Sequence, residues 1–486
     1  MNLIPRRPIF NRRAESSVYR MFFWAILTLS GIWLIIQMRQ GDIKSPFEAA
    51  PTPTRTSNSY ALEGDAQFKA GSLDNAISAY RESVRVDPSN AEAWAELARI
   101  QAYSSTLLTT DADIKARLNE TLLSAQQAVK LAPDDSTAHA VLAFALDWNA
   151  NPSLLDDNRQ VQDLLSQADL EAVRALQLDS SNTLALAYYA EILVDEQKWT
   201  QAEQYITQAV DRDPSLMDVH RVYAQVLESL GEYNLAIQEY DKAIAITPKL
   251  TFLYLRAGAN YRTLGFKSLN EDTQKQLFES SLEYFAKAAS IDSVLKVKDP
   301  VPYLSIAKTY SQEGEYFIAA RNVQKALSFQ PSNADIYGQL GIVYFKSRNY
   351  EGSIPALQCA VEGCSGENSC IGRGLTACDA QDPAVQVTGL PLSMSTVDYY
   401  QVYFSVLAAL GPRDPTYCPI ALKTIAQVRA SGYESNRPDI TTNITAAELE
   451  CSPSAPVTTS GSATEVPAPT KILSTSTPYP TNTPSP

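Results

Sequence analysis

Histidine is nearly missing from this chain: there are 2 in 486 residues. That scarcity argues against a His-ligated metal centre and leaves little room for a histidine-based catalytic triad. Cysteine is absent before residue 359, and the six present run Cys359-x4-Cys364-x5-Cys370-x7-Cys378, then Cys418 and Cys451. No C-x-x-C pair occurs, so the spacing of a structural zinc site is lacking. Basic residues are the minority, 40 Lys and Arg against 54 Asp and Glu. The resulting net charge of −14 argues against nucleic acid as a partner. The chain also lacks the phosphate-binding G-x-x-x-x-G-K-[ST], the zinc-protease H-E-x-x-H and the nucleophile elbow G-x-S-x-G. One S-x-x-K, Ser305 to Lys308, falls inside a helical pattern, and no S-D-N or K-T-G accompanies it. No catalytic residue, metal ligand or cofactor is therefore expected.

What is present organises the chain. Hydrophobic residues make up 45% and charged residues 19%, enough to bury a core over most of its length. Residues 1–20 carry five arginines against Glu15, a local charge of +4, which leaves −18 for the rest. Residues 21–38 then hold no charge. As a helix that run covers about 27 Å of a roughly 30 Å hydrocarbon core. Phe22, Phe23 and Trp24 lie where interfacial aromatics belong. No small-x-small cleavage site follows, so the reading is an uncleaved signal-anchor helix over 21–38 with a cytoplasmic basic N-terminus at 1–20. Residues 39–56 form a Pro/Thr linker, and everything beyond is expected outside the cytoplasmic membrane. An even set of cysteines in an exported region reads as three disulfides among Cys359, Cys364, Cys370, Cys378, Cys418 and Cys451, with fifteen pairings open. From Ser452 to Pro486, 23 of 35 residues are Ser, Thr or Pro, so 452–486 is expected to be a disordered tail. Asn119 and Asn443 open glycosylation-type triplets.

Helical patterns ending in proline recur from residue 57 with a period of 34; residues 183–216 run directly into 217–250. With this period the chain resembles the tetratricopeptide repeat family, whose unit is a 34-residue helix–turn–helix. The family's eighth position is then small throughout: Gly64, Ala98, Ala143, Ala190, Ala224, Gly258, Ala307 and Gly341. Its twentieth position holds Ala76, Ala168, Ala202, Ala236 and Ala319. The closing proline is Pro88, Pro133, Pro214, Pro248 and Pro331. Small residues let paired helices approach, and proline stops the second helix. The resemblance implies an all-α fold, a right-handed α-solenoid of about 8–9 repeats behind the N-terminal transmembrane helix. The repeats lie near 57–90, 91–135, 136–182, 183–216, 217–250, 251–295, 300–333 and 334–365, a solenoid spanning 57–365. Residues 359–451 form a Cys-rich excursion plus a degenerate ninth helix pair near 395–411 and 417–431. Insertions near 104–117, 149–163 and 266–276 lie between the two helices of their repeats, and Asp111 is expected to cap an extended helix. His139 and His220 fall at the fourth position, where Trp94, Tyr254, Tyr303 and Tyr337 stand in other repeats, and are read as packing residues.

The family's concave groove is lined by positions 2, 5, 9, 12 and 13 of each first helix. On this chain those positions give Phe68, Lys69, Arg99, Tyr103, Phe144, Trp148, Arg221, Gln225, Phe252, Arg262, Lys308 and Phe345 as partner-binding candidates. They also place Asp65, Asp147, Glu191, Asp195, Asp218, Glu228, Asp335 and Lys346 there. The Lys, Asn and Arg set with which the family clamps a C-terminal carboxylate is not found at its positions. The resemblance thus implies a non-enzymatic scaffold or adaptor, single-pass and displayed outside the membrane, holding a protein or peptide in its groove. Two rival expectations are a structural component of the envelope that self-associates, and an accessory protein that recruits an envelope enzyme.

Overall fold

The computed structural model describes residues 17–40 and 55–452, apart from 109, 156 and 436. The first sixteen residues, most of the 39–56 linker and the tail from residue 453 lie outside the described residues. The chain divides into two units at Arg55. In the first, α1 (Val18–Gln40) is a helix whose segment Val18–Gln37 has a mean hydropathy of 1.6 and no buried side chain, long and apolar enough to cross a membrane.

The second unit is a succession of antiparallel helix pairs. They are α2 and α3 (Ser57–Lys69, Leu73–Val86), α4 and α5 (Ala91–Ser105, Asp111–Leu131), α6 and α7 (Ser136–Asn149, Asn158–Leu178), and α8 and α9 (Thr183–Asp195, Trp199–Arg212). Next come α10 and α11 (Met217–Ser229, Tyr233–Ile246), α12 and α13 (Thr251–Lys267, Glu271–Leu295), α14 and α15 (Val301–Glu313, Tyr316–Phe329), and α16 and α17 (Ala334–Lys346, Tyr350–Val361). A short α18 (Gly366–Gly372) leads to α19 (Val397–Leu410), α20 (Tyr417–Ser431) and α21 (Pro438–Glu450). Among the described residues there is no strand. Each helix packs on its own partner and on the next pair, which is the architecture of a solenoid.

Local chemistry explains the boundaries. Asn90, Asp135, Asn182 and Asn333 stand before α4, α6, α8 and α16, and each side chain accepts an amide of the first turn. The small eighth position meets a large residue of the paired helix. A Cβ on Gly258 would stand 2.6 Å from the Phe285 ring, and one on Gly64 would overlap Tyr80. The alanines at the twentieth position, Ala76, Ala168, Ala202, Ala236 and Ala319, are wholly buried. The fourth position has a shared hydrogen bond. Trp94 Nε1 donates to the Pro88 carbonyl at 3.1 Å, Tyr254 Oη to Pro248 at 2.9 Å and Tyr337 Oη to Pro331 at 2.9 Å. His139 and His220 copy it through Nε2 to Pro133 and Pro214, at 2.8 and 2.9 Å. The side chain that follows each proline by six residues thus satisfies the proline's own carbonyl, in the turn just past the C-cap of the preceding helix.

The inserted stretches mainly add turns to helices, and only between α6 and α7 is the connection itself much longer than in the other repeats. α5 and α7 have 21 residues and α13 has 25, where α3, α9, α11 and α15 have 14. The cap of α5 is Thr110, whose Oγ1 accepts the Asp113 amide, and Asp111 is the first helical residue instead. Leu118 is buried on its inner face, with Ile114 and Leu122 partly buried beside it.

The solenoid winds back on itself. Gly71, in the turn between α2 and α3, has φ +78° and lies so close to the Lys249 carbonyl that a Cβ would overlap it. Ser395 Oγ donates to Asp111 Oδ2 at 2.7 Å across 284 residues. The first repeat therefore touches the end of the fifth, the second touches the C-terminal region, and the inner face is folded around a narrow interior.

Candidate functional site: the inner face of the solenoid

Eight of the residues named from the groove positions come together in the first six repeats, and together they fill the interior. Phe68, Tyr103, Phe144, Trp148, Arg221, Gln225 and Phe252 are buried, and Arg99 is nearly so. The aromatics that a groove would display are stacked on each other across repeats. Tyr103 lies 5.1 Å from Phe252 and 6.3 Å from Phe68, ring centre to ring centre, and Phe144 lies 4.4 Å from Tyr188. The reason is the winding of the helix pairs, which brings α4 against α10 and α12, and α8 against α10.

The buried arginines of this half each meet a carboxylate. Asp218 accepts hydrogen bonds from Arg99 Nη1 at 3.0 Å, from Tyr188 Oη at 2.8 Å and from Tyr103 Oη. Arg221 makes a two-pronged bond to Glu191 at 2.8 and 2.6 Å, and Trp148 Nε1 donates to the same carboxylate at 3.0 Å. The Arg221 guanidinium lies 5.2 Å from the Tyr103 ring centre and 5.6 Å from that of Phe144. Further along, Glu228 accepts from Arg256 and Asn260. Burial works against the charged form of Asp218, but Arg99 and the two phenols win and hold it below the ordinary carboxylate range. Burial and the Glu191 charge push Asp195 up to about 7. Asp147, buried beside it without a hydrogen-bond partner among the described residues, is pushed well up by burial and by the Asp195 and Glu191 charges.

The last three repeats are different. Arg262, on α12, is buried; its Nη1 reaches the Ser305 carbonyl of α14 at 3.3 Å, and its guanidinium lies 5.3 Å from the Phe285 ring centre. Among the described residues it has no carboxylate partner. Burial pulls it down to about 10. Lys308, half-buried one helical turn beyond Ser305, is pushed down to about 8 by burial and by the charges of Arg262 and Lys346. Lys346, on α16, is exposed on one side, and burial of the rest lowers it against the opposing charge of Asp398. Asp398 itself pairs with Arg437 at 2.8 Å. The other acid of this region, Asp335, accepts from Tyr399 Oη at 2.6 Å and from Gln339 Nε2 at 2.8 Å. Phe345 is half-buried, 5.6 Å from Tyr350. Lys69 is exposed at the end of α2, outside both groups.

The six cysteines pair as Cys359–Cys364, Cys370–Cys378 and Cys418–Cys451. The first ties the end of α17 to the stretch before α18, the second ties α18 to the loop that follows it, and the third fastens the end of α21 to the start of α20. Tyr188, Arg256 and Asn260 also belong to the interior but escaped the positional reading, because they stand at helix positions outside the groove pattern. Their signal was present only as a buried-type aromatic and a basic residue one turn from a groove position.

A family profile for the tetratricopeptide repeat matches residues 190–250, and a TPR repeat profile matches residues 64–102. The human antiviral innate immune response effector IFIT1 is 24% identical over 209 residues, which make up 41% of each chain, so the match spans about two fifths of that curated relative. Among solved structures, a human IFIT1 dimer with PPP-AAAA covers 82% of this chain and 92% of its own at 14% identity, with a TM-score of 0.47. A thermophilic TPR protein of Thermus thermophilus covers 42% of this chain and 98% of its own at 18% identity, with a TM-score of 0.34. The chain therefore carries tetratricopeptide repeats in an all-helical solenoid.

Proposed function

We propose that the protein is a non-enzymatic scaffold that holds a protein partner on the inner face of its sixth to eighth repeats. The observation that carries this reading is the contrast in charge pairing. The first half pairs each of its buried arginines with an acid, and the second half leaves Arg262, Lys308 and Lys346 without an ion-paired carboxylate among the described residues. Repeats of this kind generally serve protein interaction, and α1 supplies a segment able to anchor the solenoid in a membrane. In this reading the helix is a single-pass signal anchor over 21–38, the N-terminus is cytoplasmic, and the solenoid is displayed outside the cell membrane within the envelope. Crosslinking in intact cells, followed by mass spectrometry of the attached chains, tests it. Crosslinks from α12, α14 and α16 to one foreign protein are expected; crosslinks only between copies of this chain would overturn it.

A second reading, self-association into an envelope assembly, draws on the elongated helices. Leu123 on α5 and Leu170 on α7 are 67% and 68% exposed, and Leu269 beside α13 is fully exposed. The same crosslinking decides between the two, since this reading expects copy-to-copy links through those helices.

A further inference from the structure

We infer that the inner face of repeats six to eight binds an acidic peptide segment, its carboxylates held by Arg262, Lys308 and Lys346. This deepens the scaffold reading and rests on it.

The argument starts from what burial demands. A guanidinium removed from water is costly unless it meets a carboxylate or several acceptors. The protein meets that demand in its first half, where Arg99, Arg221 and Arg256 each contact an acid. Arg262 is equally buried, yet its one polar contact among the described residues is a single backbone carbonyl, at 3.3 Å. That carbonyl belongs to Ser305, and Lys308 lies three residues further along α14, a spacing that puts the two positions on one helix face. Lys346 of α16 is near enough for its charge to act on Lys308. Arg262 and Lys308 thus meet at the Ser305 turn of α14, and Lys346 of the following repeat adds a third cation beside them. Asp398, whose charge acts on Lys346, is itself engaged by Arg437, and the buried Asp335 of α16 is held by Tyr399 and Gln339.

Cations from three consecutive repeats suit a chain that runs along the inner face, with carboxylates spaced to meet each repeat. A nucleic acid fits less well. Its phosphates continue in both directions, and here they would run from three cations into an interior holding Asp147, Glu191, Asp195 and Glu228 in a chain of net charge −14.

The test uses the purified full-length chain and a fluorescein-labelled hexaglutamate peptide, with binding read by fluorescence anisotropy. Lys308→Glu and Lys346→Glu are each expected to weaken binding about tenfold or more, and Lys308→Arg to retain it. Arg159→Glu, a reversal at a side chain 90% exposed on α7, is the control and leaves binding unchanged. Binding by the parent chain weakens from about pH 7 to pH 9 as Lys308 loses its proton, and Lys308→Arg flattens that dependence. Circular dichroism of each variant establishes that the fold is retained. Absence of binding, or equal binding by the folded Lys308→Glu protein, overturns the assignment. So does displacement of the peptide by hexathymidylate at a lower concentration than unlabelled hexaglutamate needs. If the foreign-protein crosslinks persist in cells carrying Lys308→Glu, the scaffold reading stands and the acidic-peptide assignment falls.

Discussion

The two halves of the inner face are built from the same repeat positions and put to opposite use. In repeats two to five, Arg99, Arg221, Asp218 and Glu191 are drawn into a closed set of ion pairs under stacked aromatics. In repeats six to eight, Arg262, Lys308 and Lys346 have no such partners among the described residues, although burial already weighs on all three. A repeat position therefore does not by itself make a binding residue. What decides is whether the winding of the solenoid brings an opposite charge from another repeat within reach.

The sharpest way to break the closed half is Asp218→Ala. It would leave Arg99 with Glu96 as its one remaining carboxylate and remove the acceptor of two buried phenols. The expected loss is about 3–5 kcal/mol in urea unfolding. Next in size is reduction of the disulfides, which act only at the C-terminal end. Opening Cys418–Cys451, 33 residues apart, removes a constraint of about 3–4 kcal/mol in the chain-entropy picture. Hydrogen exchange should then rise in α19 to α21 and stay unchanged in α2 to α11.

A smaller effect lies at the junction of the sixth and seventh repeats. Burial raises Asp292 to about 7. Burial, with the Asp292 and Asp74 charges, raises Asp299 to about 8. One oxygen of each lacks a hydrogen-bond partner among the described residues. An acid whose folded pKa lies above its unfolded value of about 3.9 contributes stability that is complete below that value. The contribution is lost as pH rises through about 8. Asp299→Asn keeps an acceptor for the Val301 amide and should stabilise the protein at pH 8 by something on the order of 2 kcal/mol. That gain should vanish by about pH 4 in thermal melts; a constant gain at every pH would show that charge is not the cause.

Much of the fold was legible in the sequence because its signals are local. A small residue where two helices touch and a proline where the second helix ends recur every 34 residues, and the structure places Gly64, Ala98 and Ala190 in those contacts. The histidines could be recognised as packing residues from position alone, though not that both would bond a proline carbonyl. The closing of the inner face was not legible. Arg99 and Asp218 lie 119 residues apart, and the contact depends on a small rotation summed over several repeats, which no short spacing reports. The same summation hid Tyr188, which completes the coordination of Asp218 from a position outside the groove pattern. The cap of α5 was missed for a local reason: Thr110 and Asp111 are both good capping residues, and one residue of register separates them.

The central claim is that inner-face charge is structural in the first half and held ready for a partner in the second. Urea unfolding of Arg221→Ala and Lys308→Ala, measured side by side on the full chain, tests it most directly. Removing Arg221 strands Glu191 in the interior and should cost about 3 kcal/mol or more. Removing Lys308, which has no ion-paired partner to strand among the described residues, should change stability by no more than about 0.5 kcal/mol. A loss of similar size from both substitutions would contradict the division.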